Sequence, residues 1–225
     1  MRSNDNSTVR TDAEPLYVRL LSGLVRPFPD FDLSFIKPVR MRATALLELS
    51  AGARVLDAGC GSGGSFPYLV RAVGPAGRVV GIELSPSSGS HATRRAEKNG
   101  WQNVEVVVSR AEDVCLGGRY DGLLMFAAPD VYASKASLDR LVPYLGEGAR
   151  IVFFGGKRST RRFGWLINGL LNLALTKFSL PTTPGLELEP WSQVAERVRD
   201  LKVEEYFHGW MFLASGTLGS AKPDV

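Results

Sequence analysis

The sequence predicts an α/β fold. It is a doubly wound, mostly parallel seven-stranded sheet with one antiparallel strand from a C-terminal hairpin, and helices on both faces. Three observations predict it. Short apolar runs rich in β-branched residues alternate with segments long enough for crossover helices. The runs are almost continuously hydrophobic, as strands buried on both faces require. The last two runs are separated only by His208 and Gly209. A parallel crossover needs about a dozen residues or more, so this pair must be antiparallel.

A polar tail, 1–14, carries no apolar signal region. Pro15 to Val25 and Pro38 to Leu49 then read as two helices ahead of the first strand, Arg54 to Ala58. Helix Phe66 to Val73 leads to strand Arg78 to Glu83, and helix Ser87 to Asn99 leads to strand Val104 to Val108. Ser85 followed by Pro86 is a helix start, with a side-chain cap and then a ring that fixes φ in the first turn. Strand Tyr120 to Phe126, helix Ser134 to Leu145 and strand Ala149 to Phe154 complete the parallel part, with Gly100 and Gly146 placed to stop helices. Arg162 to Phe178 and Pro190 to Asp200 read as helical, and Val203 to Phe207 and Trp210 to Ala214 as the hairpin. The expected organisation is one domain over 15–217, with lid helices over 15–50, a substrate-covering insertion over 156–188 and a tail over 218–225.

Composition narrows the function. The chain has 225 residues, 44% of them hydrophobic and 22% charged, which is ordinary for a globular domain with a sizeable core. The net charge of +4 is spread out apart from one cluster, so no basic stripe argues for a nucleic-acid partner. Two cysteines, Cys60 and Cys115, make neither a disulfide framework nor a metal site, and a reducing cytoplasm is the expected compartment. The longest uncharged apolar stretch, Phe163 to Thr176, is 14 residues long, interrupted by Gly164, Asn168, Gly169 and Asn172, and too short to span a bilayer.

The informative segment is Val55-Leu56-Asp57-Ala58-Gly59-Cys60-Gly61-Ser62-Gly63-Gly64. A buried strand ends in an acid, and a glycine-rich turn follows, where backbone can approach a ligand closely. In a doubly wound sheet this is the mouth of the ligand crevice. A second acid, Glu83, closes the next strand, 24 residues beyond Gly59, where a carboxylate can accept from both hydroxyls of a ribose. The pair implies an adenosine-type cofactor. Gly59, Gly61 and Gly64 also satisfy the G-x-G-x-x-G spacing of dinucleotide enzymes. Two features favour a methionine-bearing adenosine instead: Asp57 can bind an amino group but repels a pyrophosphate, and the terminal hairpin does not suit an all-parallel dinucleotide sheet.

On these residues the chain resembles the class I methyltransferases that use S-adenosylmethionine. Val55 to Gly63 resembles their first motif and Gly81-Ile82-Glu83 their second; Ser109 to Asp113, Tyr120-Asp121 and Leu145 to Arg150 resemble looser later motifs. The resemblance runs from about Phe35 to Ser215. It implies cofactor contacts at Asp57, Gly59, Cys60, Gly61, Glu83 and Leu84, at Ala111 and Glu112 near the adenine, and at Phe126 and Ala127 near the sulfonium, with S-adenosylhomocysteine as product. One departure stands out: where the family commonly has an acid for the adenine amine, this chain has Arg110, leaving that role to Glu112 or Asp113 or to backbone and apolar contacts.

Methyl transfer from a sulfonium needs alignment first and a general base only when the acceptor is protonated. Candidate catalytic residues are Asp130, after the fourth strand, His208, in the terminal turn, and Tyr17, on the first helix; His91 reads as a solvated helix residue. Lys157-Arg158-Ser159-Thr160-Arg161-Arg162 leads straight into an apolar helix with Phe163 and Trp165. That pattern suits a roof over an apolar acceptor, core packing with a solvated basic turn, or peripheral membrane contact through 157–178. The expected function is methylation of a small lipophilic acceptor at N, O or C by a cytoplasmic enzyme without a metal. The alternatives are an NAD(P)-dependent oxidoreductase and an S-adenosylmethionine-binding protein without transfer activity. A nucleic-acid methyltransferase is disfavoured, because Ala128-Pro129-Asp130 lacks the N/D-P-P-aromatic signature used on base amines.

Overall fold

The computed structural model describes residues 36–160 and 187–219. The predicted helices Pro15 to Val25 and Arg162 to Phe178, the tail 1–14 and Tyr17 lie outside the described residues. Within them the elements run α1 (Lys37–Leu46), β1 (Arg54–Ala58), α2 (Phe66–Val73), β2 (Arg78–Glu83), α3 (Pro86–Lys98), β3 (Val104–Val108), β4 (Tyr120–Phe126), α4 (Pro129–Tyr132), α5 (Lys135–Leu141), β5 (Leu145–Gly156), α6 (Ser192–Ala195), β6 (Val198–Tyr206) and β7 (Met211–Leu218).

The strands form one sheet in the order β3-β2-β1-β4-β5-β7-β6. All pairs are parallel except those made by β7, which is antiparallel to both β5 and β6. The strand order reverses at β1, so the crevice beyond its carboxyl end is the topological switch point. Side chains alternate across the sheet. Leu56 and Ala58 join one buried cluster with Met125, Tyr132, Phe153 and Phe212, whereas Val55 joins the opposite cluster with Phe66, Leu69, Phe126 and Phe154. Asp57 shares the parity of Val55 and points to the face covered by α1 and α2.

Local chemistry accounts for the element ends. Ser85 Oγ accepts from Ser88 N at 3.4 Å with Pro86 opening α3, and Ser134 Oγ accepts from Ser137 N at 3.2 Å at the start of α5. The helix expected to reach Leu145 stops at Leu141 and tightens into a 3-10 turn over Val142–Tyr144, because Pro143 has no N–H to continue it. Leu145 is then free to pair with Tyr120, and β5 starts earlier than its apolar run suggests.

The structure corrects the helix expected over Pro190 to Asp200. Only the single turn Ser192–Ala195 is helical, and Val198 to Asp200 belong to β6. Ladder pairing wins there: Val198 and Arg199 lie opposite Leu218 and Thr217, while one turn suffices to bury Val194 and set Trp191 against the Phe212 ring, centroids 5.3 Å apart. β7 correspondingly runs to Leu218, one residue into the segment read as a tail. No helix among the described residues is long and apolar enough to cross a membrane.

Phe66 opens α2, has no exposed surface and lies beneath the glycine turn: a Cβ on Gly63 or Gly81 would meet its ring at 2.6 or 2.7 Å. Phe66→Ala would leave a cavity there that close neighbours on both sides cannot fill by collapse. We expect a loss of about 3–5 kcal/mol in urea denaturation; less than about 1 kcal/mol would contradict this packing.

Candidate functional site

β1 ends in a turn held from the neighbouring strand. Gly59 N and Cys60 N both donate to Ile82 O, at 2.8 and 3.0 Å, and Gly63 N donates to Cys60 O at 3.0 Å. Gly59 has φ +76°, and a Cβ there would lie 2.5 Å from Ala128 Cβ, so this turn and the turn after β4 touch backbone to side chain. Gly61 has φ +56° and nothing within 4 Å of where a Cβ would stand. Both positions need the left-handed region, which costs a non-glycine residue energy, but only Gly61 faces open space.

That space is a cleft of about 480 Å³ at the carboxyl ends of the parallel strands. Gly59, Gly61, Glu83 and Leu84 line one side; Arg110 to Glu112 and Ala127 to Val131 line the other. A cleft of about 570 Å³ lies at the opposite end of the sheet, around Glu48, Asp121, Glu147 and Arg150. It has neither the glycine turn nor the switch-point position, and it is not the candidate.

Glu83 joins two turns. Its Oε2 accepts from Gly61 N at 2.9 Å and its Oε1 from Ser85 N at 2.8 Å. Each oxygen thus has its orientation set by a backbone amide and keeps a further lone pair for a ligand. Asp57 is 1% exposed, and neither carboxylate oxygen has a partner at good hydrogen-bond geometry, although the Ser65 hydroxyl lies near enough to pull its ionisation down weakly. Burial pushes its carboxyl up to about 7, with the Arg40 charge pulling down and Glu83 adding to the rise. A buried carboxylate left unpaired in this way is uncommon and fits a cationic group brought by a ligand. Arg40, on α1, is itself buried: Nη1 donates to Ser65 Oγ at 2.9 Å and the guanidinium lies 4.3 Å over the Phe126 ring.

Of the residues singled out in the sequence, Gly59, Gly61, Glu83, Leu84, Ala111, Glu112, Ala127 and Asp130 converge on the cleft. Asp57 stands behind it. Cys60 contributes backbone only: its thiol is buried in the core, 3.6 Å from Gly61 O, and burial pushes its ionisation upward. Phe126 backs the site, stacked on Phe154 at 4.5 Å rather than lining the cleft. Ala127 is exposed to the cleft at φ +59° and donates its N–H to Phe154 O at 2.8 Å.

Around the third-strand loop, Arg110 Nε donates to Glu112 Oε1 at 2.6 Å and Ser137 Oγ donates to Oε2 at 3.4 Å. A backbone N–H, and then Arg110, hold the Glu112 carboxyl below its usual range. For Asp130, burial raises the carboxyl and its own backbone N–H pulls it down; the charges of Glu112 and Arg110 across the cleft add to and oppose the rise more weakly.

His208 is not brought to the cleft. It occupies the β6–β7 turn at φ +57°, its carbonyl accepts from Ser159 Oγ at 2.9 Å, and β4, β5 and β7 separate it from β1. Lys157, the first residue of the basic cluster, is 7% exposed, pairs with Glu205 at 2.5 Å and lies 5.3 Å from the Trp191 ring, so its charge is paired inside the protein. Positions 161–178 of that segment lie outside the described residues. Sequence reasoning missed Arg40, Ser134 and Ser137. The two serines carry the helix-start signal, but nothing local marks Arg40, whose place depends on how α1 packs.

Comparison with known proteins adds four findings. A family described as a methyltransferase domain matches residues 55–146. The chain is 31% identical over 123 residues to aklanonic acid methyltransferase DauC of Streptomyces sp. (strain C5), covering 54% of this chain and 56% of that protein. It is 40% identical over 112 residues to tRNA (adenine(58)-N(1))-methyltransferase TrmI of Thermus thermophilus, covering 44% and 42%. The chain spans about half the length of these curated relatives. Among solved structures it is similar in fold to geranyl diphosphate C-methyltransferase from Streptomyces coelicolor A3(2), with a TM-score of 0.66, 15% identity and coverage of 81% and 79%.

The two glycines separate strain from contact. Gly61→Ala is expected to cost about 1–2 kcal/mol, the left-handed penalty alone. Gly59→Ala should cost clearly more, because Ala128 must also give way. Equal losses in denaturant titrations would show that the Gly59–Ala128 contact does not constrain the turn.

Proposed function

We propose that this chain is a class I, Rossmann-like S-adenosylmethionine-dependent methyltransferase and that it transfers the methyl group to a small lipophilic acceptor at N, O or C. The observation that carries the proposal is the pair of carboxylates at the ends of adjacent strands, Asp57 buried without a well-placed hydrogen-bond partner and Glu83 oriented by two amides. Asp57 is suited to accept from the α-amino group of the methionine moiety, and the remaining lone pairs of Glu83 from the two ribose hydroxyls. Leu84 and Ala111 supply apolar surface for the base, and Ala127 closes the cleft near the reacting centre.

When bound, the sulfonium supplies an already activated methyl group. The protein's part is to fix the cofactor so that the acceptor approaches in line, an alignment that contributes on the order of 7–11 kcal/mol. His208 does not line the cleft, and the nearness of Asp130 to the charges of Arg110 and Glu112 supports a role for it at the base end of the cofactor rather than as a general base.

A small-molecule acceptor is supported by the relative named as acting on aklanonic acid. A second reading, an RNA acceptor, is favoured by the relative named as acting on tRNA. Against it, the exposed arginines Arg42, Arg78 and Arg110 face Glu204, Glu105 and Glu112, which interrupts the continuous positive surface a phosphate backbone needs. Incubation with methyl-labelled S-adenosylmethionine and a panel of aromatic polyketides, prenyl compounds and total tRNA decides between them: label confined to RNA would refute the small-molecule reading.

Calorimetry tests the site. S-adenosylhomocysteine should bind and NADH should not, and Asp57→Asn and Glu83→Ala should each weaken binding by about tenfold or more, the loss expected for a hydrogen bond to a charged group. Binding of NADH alone would overturn the proposal.

The raised Asp57 carboxyl gives a signed pH effect. The ligand's ammonium needs the ionised form, so affinity should fall as pH drops below about 7 and approach about tenfold per unit. Without ligand the sign reverses: the stability this raised group contributes is fully present below its unfolded value and is lost as pH rises through about 7. Asp57→Asn should therefore bind without this pH dependence and melt higher than wild type at pH 8, by the equivalent of about 1–4 kcal/mol. A lower melting temperature for Asp57→Asn at pH 8 would contradict the assignment.

A further inference from the structure

We propose that Asp130 accepts a hydrogen bond from the exocyclic amine of the adenine and so makes the site selective for adenine over hypoxanthine. This rests on the cofactor reading above. With Asp57 behind the turn after β1 and Glu83 at the ribose, the base must lie on the far side of Glu83, where the cleft is lined by Leu84, Ser109 to Glu112 and Pro129 to Val131. Leu84, Ala111 and Val131 give apolar surface for the two faces of a planar ring. The rim must then supply an acceptor for an amine that would otherwise lose its hydrogen bonds to water.

Few groups can do this. Arg110 stands at the loop position but only donates. Asp113 is 68% exposed and does not line the cleft. Glu112 lines it, but its charge is neutralised by the Arg110 ion pair, and Arg110 Nε and Ser137 Oγ hold its two oxygens toward the loop and α5 rather than leaving the carboxylate unpaired. Asp130 lines the same cleft, makes no ion pair among the described residues, and lies close enough to feel the charges of both Arg110 and Glu112. The Arg110–Glu112 pair therefore acts as a neutralised backstop, and Asp130, whose charge no cation pairs among the described residues, is the acceptor. The acidic role is moved from the loop after β3 to the start of α4, which accounts for an arginine being tolerated at position 110.

Selectivity follows from chemistry. Hypoxanthine replaces the amine with a carbonyl oxygen, which would face the Asp130 carboxylate, acceptor against acceptor. An asparagine can turn its amide to donate instead.

The test is calorimetric titration of the full chain with S-adenosylhomocysteine and with S-inosylhomocysteine, using wild type, Asp130→Asn and Glu112→Gln, with melting curves to confirm folding. Wild type should prefer the adenosyl compound by at least about tenfold. Asp130→Asn should lose that preference, chiefly by binding the inosyl compound more tightly. Glu112→Gln should keep it. Equal binding of the two compounds by wild type, an unchanged preference in Asp130→Asn, or loss of the preference in Glu112→Gln instead, would each overturn this assignment while leaving the cofactor reading intact. Failure of wild type to bind S-adenosylhomocysteine at all would overturn the cofactor reading and this inference with it.

Discussion

Glu83 is held by two backbone amides that belong to different turns, Gly61 N after β1 and Ser85 N after β2. The carboxylate is thereby pinned without any help from a charged side chain, at the wall of the cleft. This arrangement exists only because β1 and β2 are parallel and in register, with Ala58 opposite Ile82, so that both strands end at the same height. Ile82 reinforces the junction from the other side, its carbonyl accepting from both Gly59 N and Cys60 N. A slip of one residue would turn the acid to the opposite face and dissolve the crevice wall.

Asp57 shows the opposite strategy. Glu83 is satisfied before any ligand arrives; Asp57 is left wanting. Its burial on the α1–α2 face, with only the partial compensation of the Arg40 charge, lowers the stability of the free protein above neutral pH. A ligand that brings a cation removes that cost, so part of the cofactor affinity is stability regained. Sites of this kind are where natural proteins fall short of their stability optimum.

The reach of the sequence is uneven for a physical reason. Asp57, Gly59, Gly61 and Glu83 were legible because strand, turn and acid follow one another locally and the parallel sheet places them by rule. The hairpin was legible because His208-Gly209 is too short for any other connection. What escaped depends on packing between distant segments. Val198 to Asp200 carry a helical pattern, yet their ladder with Thr217 and Leu218 decides their state. Arg40 looks like any helix arginine until α1 settles against Ser65 and Phe126. Lys157 reads as part of a solvated basic cluster until Glu205 and Trp191 close over it. His208, attractive as one of only two histidines, sits in the β6–β7 turn and does not line the cleft.

The near-contact between Gly59 and Ala128 ties the turn after β1 to the turn after β4 along a seam with no spare volume. Neither residue can grow unless the other retreats, and Gly59 has nothing to give up. Drift in this lineage should therefore freeze the two positions together, keeping the cleft floor constant while acceptor preference diversifies through residues that never touch it.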